Sequence, residues 1–158
     1  EYVNAISTMN WHGVADLLDS SHKLLEALWA LDEEAVAAGI EKAHEEIPIL
    51  QYNDENSLSC TINLALYFAR EYYSIIRELP AGKGFADICM IPRQEHLDKP
   101  AVIIELKWDK NTIGALKQIK EKHYGNALKA YQGKVLLVGI NYNKKSKKHE
   151  CAIEVMEK

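Results

Sequence analysis

The sequence predicts an α/β domain, a mixed sheet flanked by helices behind a helical lead-in, on three observations. Apolar residues recur at helical spacing from Trp11 to Glu46. From Tyr72 the pattern changes to short apolar runs of strand length, punctuated by turn residues. A second helical stretch then follows Asn111-Thr112, so the order is helix, three strands, helix, two strands.

Each element has a local reason. The lead-in divides near Ser20–Ser21 and Leu31–Asp32, where side-chain oxygens can cap a new helix. Ile47-Pro48 stops it, and Asn53-Asp54 caps a helix from about Glu55 to Arg70 whose Leu58, Ile62, Leu66 and Ala69 line one side, facing a sheet. Strands are expected at Tyr72–Leu79 and Gly84–Pro92, joined by the turn sequence Pro80-Ala81-Gly82-Lys83. Ala101–Trp108 is the third, with Val102, Ile103 and Ile104 in a run that suits a strand covered on both faces. Asn111-Thr112 caps a helix to about Ala130, and Lys134–Tyr142 and His149–Met156 complete the sheet. Residues 1–50 are read as the lead-in packed on the core and 51–158 as the domain proper.

At 158 residues, 47% hydrophobic and 27% charged, the chain has the composition of a soluble domain with a sizeable core. No apolar run reaches the roughly 18–20 residues that cross a bilayer, and Glu1 to Asn10 do not read as a signal peptide, so a cytoplasmic protein with no membrane partner is expected. The chain opens on Glu1 rather than methionine, which suggests a piece cut from something longer, with processing as the alternative. Cys60, Cys89 and Cys151 are too widely spaced for a zinc site and are read as buried thiols. The six histidines are scattered, and His44 and His149 are read as surface residues.

Charge is divided unevenly. Residues 1–100 hold 7 Lys and Arg against 17 Asp and Glu, a net −10, whereas residues 101–158 hold 12 against 6, a net +6. The basic part, with Lys107, Lys117, Lys120, Lys122, Lys129, Lys134 and the cluster Lys144, Lys145, Lys147 and Lys148, could follow a phosphate backbone, but lysines without arginines or interleaved aromatics are a weak nucleic-acid signal and on charge alone read first as a solvated surface.

The chemistry sits in the middle strands. Asp87 is set among apolar Phe85, Ile88 and Met90, and Ile104-Glu105-Leu106-Lys107 follows in the next strand. Residues i and i+2 of a strand share a face, so Glu105 and Lys107 project together while Leu106 points to the opposite layer. A hairpin connection brings Asp87 to the same face. Two carboxylates beside an ammonium suit metal-dependent phosphodiester cleavage, in which the carboxylates hold the ion and the lysine orients water and balances charge. Gly82-Lys83-Gly84 is no phosphate loop, because its preceding glycine is missing and Phe85 stands where a hydroxyl belongs.

Five segments, Gly82-Lys83-Gly84-Phe85-Ala86-Asp87, Ile104-Glu105-Leu106-Lys107-Trp108, Gln118 to Tyr124, Val138-Gly139-Ile140-Asn141-Tyr142 and His149-Glu150-Cys151, together resemble the PD-(D/E)XK nuclease-like domain found at the C-terminus of bacterial AAA-ATPase-like proteins. The resemblance covers roughly residues 50–157 and implies a restriction-endonuclease-like αβββαβ core. It implies catalytic roles for Asp87, Glu105 and Lys107, with Glu55 as the acidic residue of the preceding helix, Asp54 as its competitor, and Gln118 on the second core helix. The resemblance further implies that Asp87, Glu105 and Leu106 hold the metal, Mg²⁺ or Mn²⁺. Lys83, Lys120, Lys122 and Tyr124 are assigned to nucleic-acid contact, although Tyr124 lies six residues after Gln118 where related nucleases have a tyrosine four after.

The expected function is metal-dependent hydrolysis of nucleic acid, DNA foremost, beside an ATPase-like domain in the same longer chain. Two other readings stay open: a nuclease fold that binds nucleic acid without turnover, and an interaction module for the ATPase-like neighbour.

Overall fold

A computed structural model of the protein describes residues 11–46, 55–81, 84–121, 128, 131 and 133–156. Two helices lead: α1 (Trp11–Trp29) and α2 (Glu33–Glu46). Leu31 takes a left-handed conformation (φ 59°) between them. Asp32 caps α2, its Oδ1 accepting the Ala35 N–H at 3.0 Å. The division expected at Ser20–Ser21 is absent, and α1 runs straight through. The two hydroxyls serve other elements instead: Ser20 Oγ accepts from Lys42 Nζ at 3.0 Å and the buried Ser21 Oγ accepts from the Phe68 N–H at 2.8 Å.

That second bond also explains a shortened helix. α3 spans Glu55–Ala65 and gives way to a 3₁₀ segment, Tyr67–Glu71, rather than running to Arg70. In an α-helix the Phe68 N–H would bond four residues back. Here it is taken by Ser21, and the chain tightens into bonds from Ala69 to Leu66 and from Tyr72 to Ala69.

The sheet follows: β1 (Tyr73–Ala81), β2 (Gly84–Pro92), β3 (Ala101–Trp108), then α4 (Thr112–Glu121), β4 (Val135–Asn143) and β5 (Lys148–Met156), in the spatial order β1-β2-β3-β4-β5. Only β3 and β4 are parallel, with α4 between them in the chain; the other pairs are antiparallel. The expected turn at 80–83 is narrower than predicted, because Pro80 pairs with Phe85 and Ala81 with Gly84. β1 is an edge strand, where a residue without an N–H is tolerated.

Alternation along the strands divides the core into two layers. Val102, Ile104 and Leu106 join Ile88, Met90, Val138 and Ile140 under the helical lead-in and α3. Ala101 and Ile103 join Cys89, Val135 and Leu137 under Leu116 and Ile119 of α4. β3 is therefore covered on both faces, as its apolar run predicts. Gly139 on β4 lets α4 lie close, since a Cβ there would stand 2.8 Å from the Thr112 carbonyl oxygen and 2.9 Å from Ala115 Cβ.

β5 is the other edge, and α2 runs beside it. Glu33 Oε1 accepts the Ile153 N–H at 2.7 Å, and Glu41 Oε2 accepts the His149 N–H at 3.0 Å. Acidic side chains of the lead-in thus satisfy donors that an edge strand would otherwise offer to another chain.

Candidate functional site

The β2–β3 ladder covers only Ile88↔Ile104, Cys89↔Ile103 and Met90↔Val102, while β2 continues to pair with β1 as far as Gly84. Past Ile88 the ladder between β2 and β3 stops among the described residues. The Asp87 side chain takes over there: its Oδ2 accepts the Leu106 N–H at 2.7 Å. By strand alternation Asp87 shares the α4 face with Cys89, and Glu105 shares it with Ile103.

Glu105 is 2% exposed. Lys107 Nζ donates to Glu105 Oε1 at 3.3 Å and to Gln118 Oε1 at 2.5 Å, and Gln118 Nε2 closes the triangle onto Glu105 Oε1. Gln118 thus bonds to both charged members of the group. Asn111 positions its helix, with Oδ1 accepting the Gly114 N–H at 2.6 Å as an N-cap does.

Burial raises the Asp87 carboxyl above the usual range. The Leu106 N–H opposes that rise, the Glu105 charge adds to it, Lys107 opposes it, and Glu55 adds again. Glu55 is exposed in the first turn of α3, yet its charge reaches Asp87. A carboxyl whose folded-state pKa is raised favours folding below its unfolded pKa, and this contribution is lost as pH rises through the folded value. Ionised Asp87 is thus a cost at neutral pH. Asp87→Asn keeps an oxygen for the Leu106 N–H, and in chelator it is expected to raise Tm at neutral pH but not below the ordinary Asp pKa of about 4. A neutral-pH Tm that does not rise, measured by thermal denaturation, counts against this burial cost.

The other assigned residues fall differently. Leu106 reaches the group only through its main chain, since its side chain is buried in the opposite layer. Lys120 stands apart, its ammonium paired with Glu154 of β5. Lys122, Tyr124 and Asp54 lie outside the described residues, as does Lys83.

Asn141 escaped sequence reasoning. It is fully buried on β4, paired in register with Lys107, and its Oδ1 accepts the Lys110 N–H at 3.0 Å while Nδ2 donates to the Lys110 carbonyl at 3.3 Å and to Glu150 Oε2 at 3.0 Å. It fixes the turn that follows Lys107, where Asp109 has φ 52°. The signal was present: a polar residue in an apolar strand, as at Asp87.

Two readings need correction. His149 is not on the surface: its side chain is fully buried and Nδ1 lies 2.7 Å from Glu41 Oε2. Burial lowers its pKa, the Glu41 hydrogen bond and charge oppose that, and His44 lowers it further. His44 is itself half-buried, and one ligand atom each from Glu41, His44 and His149 lie within 4.8 Å of one another. Cys60 is exposed, whereas Cys89 is buried and Cys151 is half-buried with its thiol, like that of Cys89, pushed up to about 12 by burial. The α3 turn that carries Cys60 sends its neighbours Leu58, Thr61 and Ile62 inward instead.

No helix among the described residues is long and apolar enough to cross a membrane. No curated protein matches the sequence. Residues 54–151, well over half of the chain, match the sequence model of the PD-(D/E)XK nuclease superfamily. That span contains Glu55, Asp87, Glu105, Lys107 and Gln118, strands β1 to β4 and the first residues of β5, and the chain belongs to the PD-(D/E)XK nuclease superfamily.

Proposed function

We propose that the chain is a divalent-metal-dependent nuclease that hydrolyses phosphodiester bonds in DNA. The observation that carries this reading is the meeting of Asp87 and Glu105 on one face where the β2–β3 ladder ends, with the Lys107 ammonium held against Glu105.

The donor set fits a hard cation. Asp87 and Glu105 offer carboxylate oxygens, and Leu106 its main-chain carbonyl, the class of ligand that Mg²⁺ and Mn²⁺ take. The upward push on Asp87 from Glu105 and Glu55 marks a site with more negative charge than burial favours, which a cation relieves. When bound, the ion polarises the phosphate and lowers the pKa of a coordinated water.

The chain's own residues do the rest. Asp87 is oriented by the Leu106 N–H, and Glu105 by Gln118 and Lys107. Lys107 directs two of its three N–H donors at Glu105 and Gln118. In our reading the third meets the attacking water or the phosphate oxygen, where charge grows as the bond breaks. Glu55 adds an acidic group at the rim, and Gln118 positions Lys107.

Lys83, Lys122 and Tyr124 remain our proposed nucleic-acid contacts, and Lys120 would have to leave Glu154 to join them. The same proposal treats residues 1–50 as a lead-in and 51–158 as the nuclease domain. It sets the protein in the cytoplasm of a bacterium, beside an ATPase-like domain of a longer chain, on the resemblance of its motifs.

Purified protein is expected to cut plasmid, linear or single-stranded DNA with Mg²⁺ or Mn²⁺ and to stop when chelator is added. Activity should vanish in Asp87→Asn and fall steeply in Lys107→Ala. Cleavage that survives both substitutions would refute the site. DNA binding without cutting, unchanged in Glu105→Gln, would favour a binding module instead.

A further inference from the structure

A second set of metal-type ligands lies away from the acidic group. Glu41 and His44 are three residues apart on α2, hence on one side of the helix, and His149 enters from the second residue of β5. Glu41 and His44 precede the span that matches the nuclease superfamily, whereas His149 falls within it.

The three are held in place from several directions. Glu41 Oε2 accepts both the main-chain N–H of His149, at 3.0 Å, and its ring Nδ1, at 2.7 Å. The His44 and His149 rings are 5.5 Å apart between centroids. Tyr142 walls them in, 5.0 Å from His149 and 6.1 Å from His44, and is itself stacked on Trp108 at 4.5 Å. A surface cavity of about 350 Å³ opens beside the group, lined by Ala37, Ala38, Glu41, Lys148 and His149 among others.

We propose that Glu41, His44 and His149 form a transition-metal site, of the kind that takes Zn²⁺, and that the ion staples the helical lead-in to edge strand β5. Two imidazoles and one carboxylate are a ligand set suited to zinc, and they differ in kind from the oxygen donors at Asp87 and Glu105. Bonds of about 2.1 Å in a tetrahedron set donor atoms roughly 3.4 Å apart. The present spread of up to 4.8 Å is wider than that, so binding in this proposal draws the three side chains together. The cavity borders Glu41 and His149, and in this proposal water from it supplies the fourth ligand. Protecting the edge strand uses Glu41 and the main chain of His149, and that task does not call for a second imidazole within ligand distance.

The test uses the full chain carrying Asp87→Asn and Glu105→Gln, which removes the acidic site, stripped with chelator and titrated with Co²⁺ as a spectroscopic stand-in for Zn²⁺. One equivalent is expected to bind with the visible bands of tetrahedral nitrogen and oxygen coordination and no thiolate charge-transfer band. Adding His44→Gln, a half-buried position, should weaken binding at least tenfold. Zn²⁺ should raise the Tm of the parent and not of the His44→Gln protein. No binding, binding indifferent to His44→Gln, or a thiolate band placing the ion on a cysteine would each overturn the proposal and leave Glu41–His149 as a structural pair.

Discussion

Lys107→Ala is expected to lower DNA cleavage by about 10²–10³-fold, the usual loss when one oriented group that meets developing charge is removed. The same substitution should cost about 3 kcal/mol of stability, because it takes the Lys107 ammonium away from Glu105, 2% exposed, and breaking a buried pair by deleting one partner costs about 3–5 kcal/mol. The lower end applies because Gln118 still donates to Glu105. Replacing both members, Glu105→Gln with Lys107→Met, should recover most of the stability and none of the activity. Denaturant unfolding of the two single variants and the double, read beside a cleavage assay, separates the roles. A Lys107→Ala protein that cuts at the parental rate would remove this lysine from the mechanism.

Gly139→Ala should have the second-largest effect, although Gly139 has no side chain to offer. Its new Cβ would meet the Thr112 carbonyl oxygen at 2.8 Å and Ala115 Cβ at 2.9 Å, so the first turns of α4 must move outward. Overpacking of this kind costs about 1–3 kcal/mol. Because α4 carries Gln118, the shift should also pull the amide from Lys107 and Glu105 and slow cleavage severalfold. Thermal denaturation and initial cleavage rates check both parts; a variant with parental Tm and rate would show that α4 accommodates the methyl freely.

Much of the centre was legible because it depends on local pattern. Asp87, Glu105 and Lys107 stand out as charges in apolar strands, and the two-residue period alone sends Glu105 and Lys107 to one face and Leu106 to the other. Asn111 could be read as a cap from its position before an amphipathic run, and it is one. Gln118 was legible through resemblance only; its bonds to both Glu105 and Lys107 depend on how closely α4 approaches the sheet, which Gly139 sets from more than twenty residues downstream.

The misreadings share a cause. Ser20 and Ser21 have the chemistry of caps, but their hydroxyls are engaged by Lys42 and by the Phe68 N–H, and the same Ser21 contact ends α3 early. His149 reads as a surface residue in the sequence, yet its partner Glu41 lies 108 residues away in the chain. Hydrogen-bonding side chains name a capacity to bond, not the partner, and partners so distant are joined only when the layers close.

The sequence by itself determined the kinds of element, their inward faces and the three charged residues in the middle strands, because these follow from periodicity and from the cost of burying charge. Tertiary structure alone decided that β3 and β4 run parallel, that the β2–β3 ladder ends at Asp87, and that α2 guards β5 with Glu33 and Glu41. Those outcomes depend on which donors and acceptors remain unmet once the sheet has formed, and that is a property of the assembled layers rather than of any one segment.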